Sequence, residues 1–241
     1  MREMRARALV TTACLLAATG WADPATGKKL NAEGYELYKQ QDYKGALRKF
    51  TEAVAAAPRL AIARYNRAAT MSRIGNPCEV TGAEILSELK ASIELDPSRL
   101  ARAKLDPDFA YVRTTVGFQR LLGADFRTVQ GLTRALPSVR WRHPTDCGTD
   151  MGCGSLMTFL KDGKLRREDR ANDLEGAWRV REGRWRVEQR AVDAGPAAPQ
   201  IVIDVKAEFG LPAIHDVGQV LEDGRLVFDS VWWTDDPELC A

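Results

Sequence analysis

Apolar and polar positions follow a helical period in the first half of the chain and a strict alternation in the second. Leu30, Gly34, Leu37 and Gln41 recur every three to four residues, and Ala46, Phe50, Ala53 and Ala57 repeat that spacing. This predicts two amphipathic helices, antiparallel because only the short polar stretch Gln41–Gly45 joins them. The small residues Gly34, Ala46 and Ala53 allow close approach of the backbones, and Phe50 fills the space beside them. Pro58 ends the second helix, since proline cannot donate to the ladder and clashes with the turn before it. Ala61–Gly75 predicts a third helix. After the longer turn Asn76–Gly82, a fourth is predicted by Ile85, Leu89, Ile93 and Pro97. A shortened third pair fills Leu100–Leu122, with Asp106 placed to cap a helix starting at Pro107 and Phe109, Val112, Phe118 and Leu122 as its apolar contacts.

From Phe126 onward the period is two. Trp178–Arg181, Glu182-Gly183 and Arg184–Val187 read as a hairpin, with Trp178, Val180, Trp185 and Val187 on one face. Arg179, Arg181, Arg184 and Arg186 then share the other face, an anion face with Arg181 opposite Arg184 and Arg179 opposite Arg186. Like charges so paired are unfavourable, and Glu168, Asp204 and Glu208 are the carboxylates expected to neutralise them. Further hairpins are predicted to turn at Asp162-Gly163 and Asp223-Gly224, and Val139–Arg142 reads as a strand. Gln200–Phe209 alternates with Ile201, Ile203, Val205, Ala207 and Phe209 inward, preceded by a loop at Asp193–Pro199. Six to eight strands joined by short turns predict an antiparallel meander, closed as a small barrel or folded as a sandwich. The expected class is therefore α+β and multidomain: a short all-α solenoid over residues 23–125 and an antiparallel β domain over 126–241.

Residues 1–22 are read apart from the fold. Arg2, Arg5 and Arg7 precede the small, apolar run Ala8–Ala18, and Gly20-Trp21-Ala22 offers a cleavage point, the pattern of a secretory signal peptide. Too few apolar residues precede Cys14 for it to be a lipid attachment site. An exported protein, periplasmic or secreted, without an integral membrane segment, is expected. The signal carries three Arg and Glu3, so the whole-chain totals of 35 Lys+Arg and 33 Asp+Glu fall to 32 of each without it. The apparent basicity belongs to the signal, and no bulk attraction to nucleic acid follows.

The Leu30–Pro58 unit resembles the tetratricopeptide repeat of bacterial exported proteins. Gly34, Ala46, Phe50 and Pro58 match the 34-residue pattern, while Leu30 stands for its usual tryptophan, Glu33 for a leucine and Leu37 for a tyrosine. Ala68 follows Gly34 by 34 residues but Pro97 follows Pro58 by 39, an insertion that a surface turn tolerates. The resemblance covers residues 27–123 and implies a concave groove lined by Asn31, Tyr35, Tyr38 and Asn66, in which an asparagine at the place of Asn66 holds the backbone of an extended peptide. Gly176-Ala177-Trp178 is similar to the glycine-x-tryptophan of lipocalin-like barrels, a match of three letters only.

Cys78, Cys147, Cys153 and Cys240 remain after the signal, an even number that in an exported chain points to disulfides. Cys147–Cys153 around a flexible loop is the preferred pair; a link from either to Cys240, or free Cys78 and Cys240, stays open. His143, Cys147, Cys153 and His215 do not have metal-site spacing. Phosphate loops, nucleophile elbows and paired helical histidines are missing, and His215-Asp216 lacks a nucleophile. The sequence thus predicts a non-enzymatic, cofactor-free module that binds a protein or peptide, the alternative being a carrier of a small or anionic ligand in the β domain.

Overall fold

The computed structural model describes residues 23–75, 80–143, 155–170, 178–192, 195–228 and 231–233. Helix α1 (Pro24–Lys39) begins at Asp23, whose carboxylate accepts from the Ala25 N–H. Helix α2 (Tyr43–Ala56) begins at Asp42, which accepts from the Gly45 N–H at 2.9 Å. The turn between them is tighter than the spacing predicts. Gln41 lies in it with a left-handed φ of 63° rather than on the apolar face of α1. Across the pair, a Cβ on Gly34 would come within 2.8 Å of the Phe50 ring. Only glycine therefore permits this approach, and Ala46, Phe50 and Ala53 are fully buried behind it.

Helices α3 (Ala61–Ile74) and α4 (Gly82–Leu95) form the second pair. Thr81 and Glu84 cap α4 reciprocally, each satisfying a backbone N–H that the first turn leaves open. The third pair is more broken than the sequence suggests. It consists of α5 (Ser98–Leu105), a single 3-10 turn at Pro107–Phe109 and α6 (Val116–Leu121). Asp106 does cap at Pro107, accepting from the Asp108 N–H at 3.1 Å. Thr115 then caps a separate helix, accepting from the Phe118 N–H, so the segment is divided. Tyr65, Ala68, Ile85, Leu89, Phe109 and Phe118 bury one another in a common cluster.

The alternating pattern read from Phe126 begins later than expected. Val129–Ala135 is helix α7, started by the Thr128 hydroxyl accepting from the Gly131 N–H. Eight strands follow: β1 (Arg140–Arg142), β2 (Leu156–Phe159), β3 (Lys164–Arg170), β4 (Trp178–Val192), β5 (Gly195–Val205), β6 (Ile214–Val220), β7 (Leu226–Phe228) and β8 (Val231–Trp233). Each pairs antiparallel with the next in one sheet. The sheet curls into a nearly closed barrel: Trp233 on β8 meets the His143 ring, 5.4 Å between centroids, and the Arg167 guanidinium at 5.2 Å. Trp141, Met157, Phe159, Trp185, Ile203 and Phe228 fill the interior, and Leu132, Ala135 and Leu136 from the α7 region join the same cluster. The signal for α7 lies in the sequence itself, since Leu132, Ala135 and Leu136 recur at the helical spacing i, i+3 and i+4. Val116 of α6 also enters that cluster. Arg120 donates to the carbonyls of Leu221 and Glu222, so the last helices of the first half are joined to the barrel.

The turns at Asp162-Gly163 and Asp223-Gly224 lie between β2 and β3 and between β6 and β7. The hairpin at Glu182-Gly183 does not exist. These two residues lie inside β4, which runs unbroken from Trp178 to Val192. Its first half pairs with β3, and from Gly183 onward it pairs with β5. The two pairings overlap at Gly183 and Arg184, and a Cβ on Gly183 would sit 2.3 Å from the Asp204 carbonyl oxygen. A glycine inside a strand marks such a close backbone approach as readily as it marks a turn. Gly183→Ala is accordingly expected to lower stability by about 1–3 kcal/mol, the usual cost of overpacking. Urea unfolding checks this, and an unchanged midpoint would remove the pivot role.

Two neighbouring readings change as well. Gly195–Pro199, expected in a loop, forms the start of β5, held by pairing with β4. At its other end β5 stops at Val205, so Ala207 and Phe209 are exposed rather than inward. Glu208 and Leu211 instead close a tight turn with Phe209 at φ 55° and Gly210 at φ 75°.

Candidate functional site

In the helical half, α1, α3, α5 and the 3-10 turn surround a hollow of about 170 Å³. Tyr35, Tyr38 and Asn66 line it, together with Tyr65, Arg102, Asp106 and Asp108. Asn31 reaches it indirectly: its side-chain oxygen accepts from the Asn66 amide at 3.0 Å, which fixes the orientation of both. Tyr35 and Tyr38 lie parallel, 6.4 Å apart, and Tyr35 remains 47 % exposed. The Tyr65 hydroxyl donates to Asp106 Oδ2 at 2.8 Å, and Arg102 lies over the Tyr65 ring. Burial pushes the Tyr65 phenol up, as does its bond to Asp106. Tyr38 is raised likewise, first by burial and then by its hydrogen bond to Asp108. Both phenols therefore stay neutral donors to carboxylates, which Arg102 and Arg73 also neutralise.

The repeat pattern pointed to Asn31, Tyr35, Tyr38 and Asn66, but not to Tyr65, Asp106 or Asp108. Tyr65 is only 1 % exposed and belongs to the core of the second helix pair. Asp106 reads as the cap of a distant segment, and Asp108 carries no signal of its own. Only the stacking of the helix pairs brings their carboxylates to the groove.

The arginines of β4 do not form one face. Because the strand is continuous, odd and even positions separate. Arg181 shares the inward face with Trp185 and is 3 % exposed, whereas Arg184 and Arg186 are outward. Arg179 stands in register with Asp169 of β3. Arg181 is held inside by Asp169 Oδ2, which accepts from its Nη2 at 3.0 Å and its Nε at 3.3 Å, and by the Pro212 carbonyl at 3.0 Å. Asp169 also accepts from Arg167 Nε at 2.8 Å and from the Ser155 hydroxyl at 2.6 Å. Arg186 is neutralised outside by Glu188 and by Asp204 at 3.0 Å. The carboxylates that meet the arginines are thus Asp169, Glu188 and Asp204. Glu168 bridges Arg166 instead, and Glu208 lies in the exposed turn after β5, its main chain paired with Leu211.

No family model, curated protein or solved structure matches this chain. The residues themselves must carry the functional reading.

His143, desolvated and close to Arg167, has its imidazole pKa pushed down. His215 is at 2.5 Å from Asp204, on the outer face of the barrel. Among the described residues no three His, Cys, Asp or Glu side chains gather as a metal site, and no helix is long and apolar enough to cross a membrane. Cys78, Cys147, Cys153 and Cys240 lie outside the described residues, as do Gly176-Ala177 and the segment 1–22.

Proposed function

We propose that this is an exported, non-enzymatic binding module of tetratricopeptide-repeat type, whose helical groove holds a segment of a peptide or protein partner. One observation carries the reading: the hollow that gathers Tyr35, Tyr38 and Asn66 with Asp106 and Asp108. Its 170 Å³ is smaller than the roughly 300–1,000 Å³ of small-molecule sites. It suits a single side chain of a longer ligand lying along the groove. The exposed Tyr35 offers a rigid aromatic surface beside it. Asn66, oriented by Asn31, is placed to bind the ligand's main chain.

Capture with the full chain from the exported fraction, followed by mass spectrometry, tests this. A partner recovered by the wild type and lost from a Tyr38→Ala, Asn66→Ala double variant of unchanged melting temperature is the expected result. Equal recovery by the variant would remove the groove from the interaction.

A further inference from the structure

We propose that His143 is a pH-sensitive latch on the seam of the barrel, and that its protonation releases β8 from β1. Strands β1 and β8 stand at the two ends of the sheet, and among the described residues they do not pair with each other. β1 is held on both sides, by β2 and by the Thr114 carbonyl, which accepts from the Arg140 N–H at 3.0 Å. β8 pairs only with β7, over Val231–Trp233. Trp233, 1 % exposed, bridges the seam: its indole meets the His143 ring at 72° and the Arg167 guanidinium at 5.2 Å. The latch is thus one ring contact at the edge of a strand of three residues.

The surroundings favour this imidazole while it is neutral. Asp169 fixes Arg167 beside it: Oδ1 accepts from Arg167 Nε at 2.8 Å and from the Ser155 hydroxyl at 2.6 Å. The other oxygen accepts from Arg181 Nη2 at 3.0 Å and Nε at 3.3 Å, and Arg179 stands in register with the same residue. Arg142, next to His143 in the chain, alternates to the opposite face of the sheet. A proton on His143 therefore adds a second cation to an indole that already carries Arg167, and the nearby carboxylate is engaged on both oxygens. Desolvation and the Arg167 charge hold the imidazole below its ordinary value of 6.5, with Asp169 opposing them more weakly. The closed seam prefers the neutral ring, whereas the open one returns it to water. Opening consequently gains as pH falls below about 6.5, and levels off once the closed form is itself protonated. A single proton gives at most about tenfold per pH unit. Asp169, held below its ordinary value of 3.8, stays ionised through this window.

The chain has two histidines, His143 and His215, so proton NMR of the full chain follows both through a titration, and His215→Gln assigns them. Deuterium exchange of the β8 and β1 amides, corrected for the intrinsic pH dependence of exchange, reads the seam between about pH 7.5 and about pH 5.5. His143 is expected to titrate below its ordinary value. Protection of β8 should fall with pH by up to about tenfold per unit, while the central strands β4 and β5 hold theirs. His143→Phe keeps a ring against Trp233 but takes no proton, and His143→Gln takes none either; both should show protection that is level across the window. The wild-type titration is a readout that needs no variant to fold. A His143 midpoint at or above the ordinary value, wild-type protection of β8 that does not change with pH, or the same pH dependence in both variants would overturn the proposal. So would loss of protection shared equally by β4 and β5, which would make the change acid unfolding of the whole barrel.

Discussion

Asp169→Asn is expected to destabilise the barrel by about 3–5 kcal/mol, the usual consequence of removing one partner from a buried ion pair. Arg181 is 3 % exposed, and its guanidinium donates twice to this carboxylate. Without the negative charge, Arg181 and Arg167 face each other across β3 and β4, where the register already pairs them. Chemical denaturation should register the loss as a shifted midpoint; a midpoint within error of wild type would show that the arginines find compensation elsewhere. Replacing the pair together, with Asp169→Leu and Arg181→Met, should recover most of the loss, because both desolvation penalties disappear with the charges.

The same carboxylate makes the barrel acid-sensitive. Burial raises the Asp169 pKa, but the Ser155 hydroxyl and the Arg167 and Arg181 guanidinium groups outweigh it, leaving the group below its ordinary value of 3.8. A carboxylate depressed in the folded state stabilises the fold above its unfolded pKa and loses that contribution as pH falls through the folded one. Wild-type stability should therefore be level in this respect above about pH 5 and decline below about pH 4. Asp169→Asn should flatten that part of the decline.

Phe50→Ala should cost the helical half about 3–5 kcal/mol, as large-to-small changes of buried aromatics do. Phe50 is fully buried and packs against Gly34, where no side chain can take its place. It also borders the groove hollow, so the cavity left behind would merge with the site. Far-UV circular dichroism on heating measures the change. An unaltered melting temperature would mean that α1 and α2 do not depend on this contact.

How much was legible in the sequence differs between the two halves for a physical reason. Helical signals are local: the spacing of Gly34, Ala46, Phe50 and Pro58 reports both the helices and the face on which they pack. The boundaries of α3 and α4 followed from Gly75 and Pro97 in the same way. In the β half, Asp162-Gly163 and Asp223-Gly224 announced true turns, whereas Glu182-Gly183 presented the same letters inside a strand. Sequence cannot separate a glycine that reverses the chain from one that clears space for a neighbouring carbonyl. Treating Glu182-Gly183 as a turn put residues 178–181 on the wrong side relative to 184–187, and so gathered the arginines on one face.

By itself the sequence determined the order of the halves, the pairing of the first four helices and the antiparallel meander, and it singled out Tyr35, Tyr38 and Asn66, which border the hollow between the helices. These depend on periodicities and turn chemistry carried within short windows of chain. Only the tertiary structure decided that Asp106 and Asp108 join that groove, that α7 completes the barrel core, and that Arg181 is buried on Asp169 while Arg184 faces outward. Each of those depends on which distant segment supplies the neighbour. A charge is placed inside or outside by the partner it meets there, and no local pattern specifies that partner.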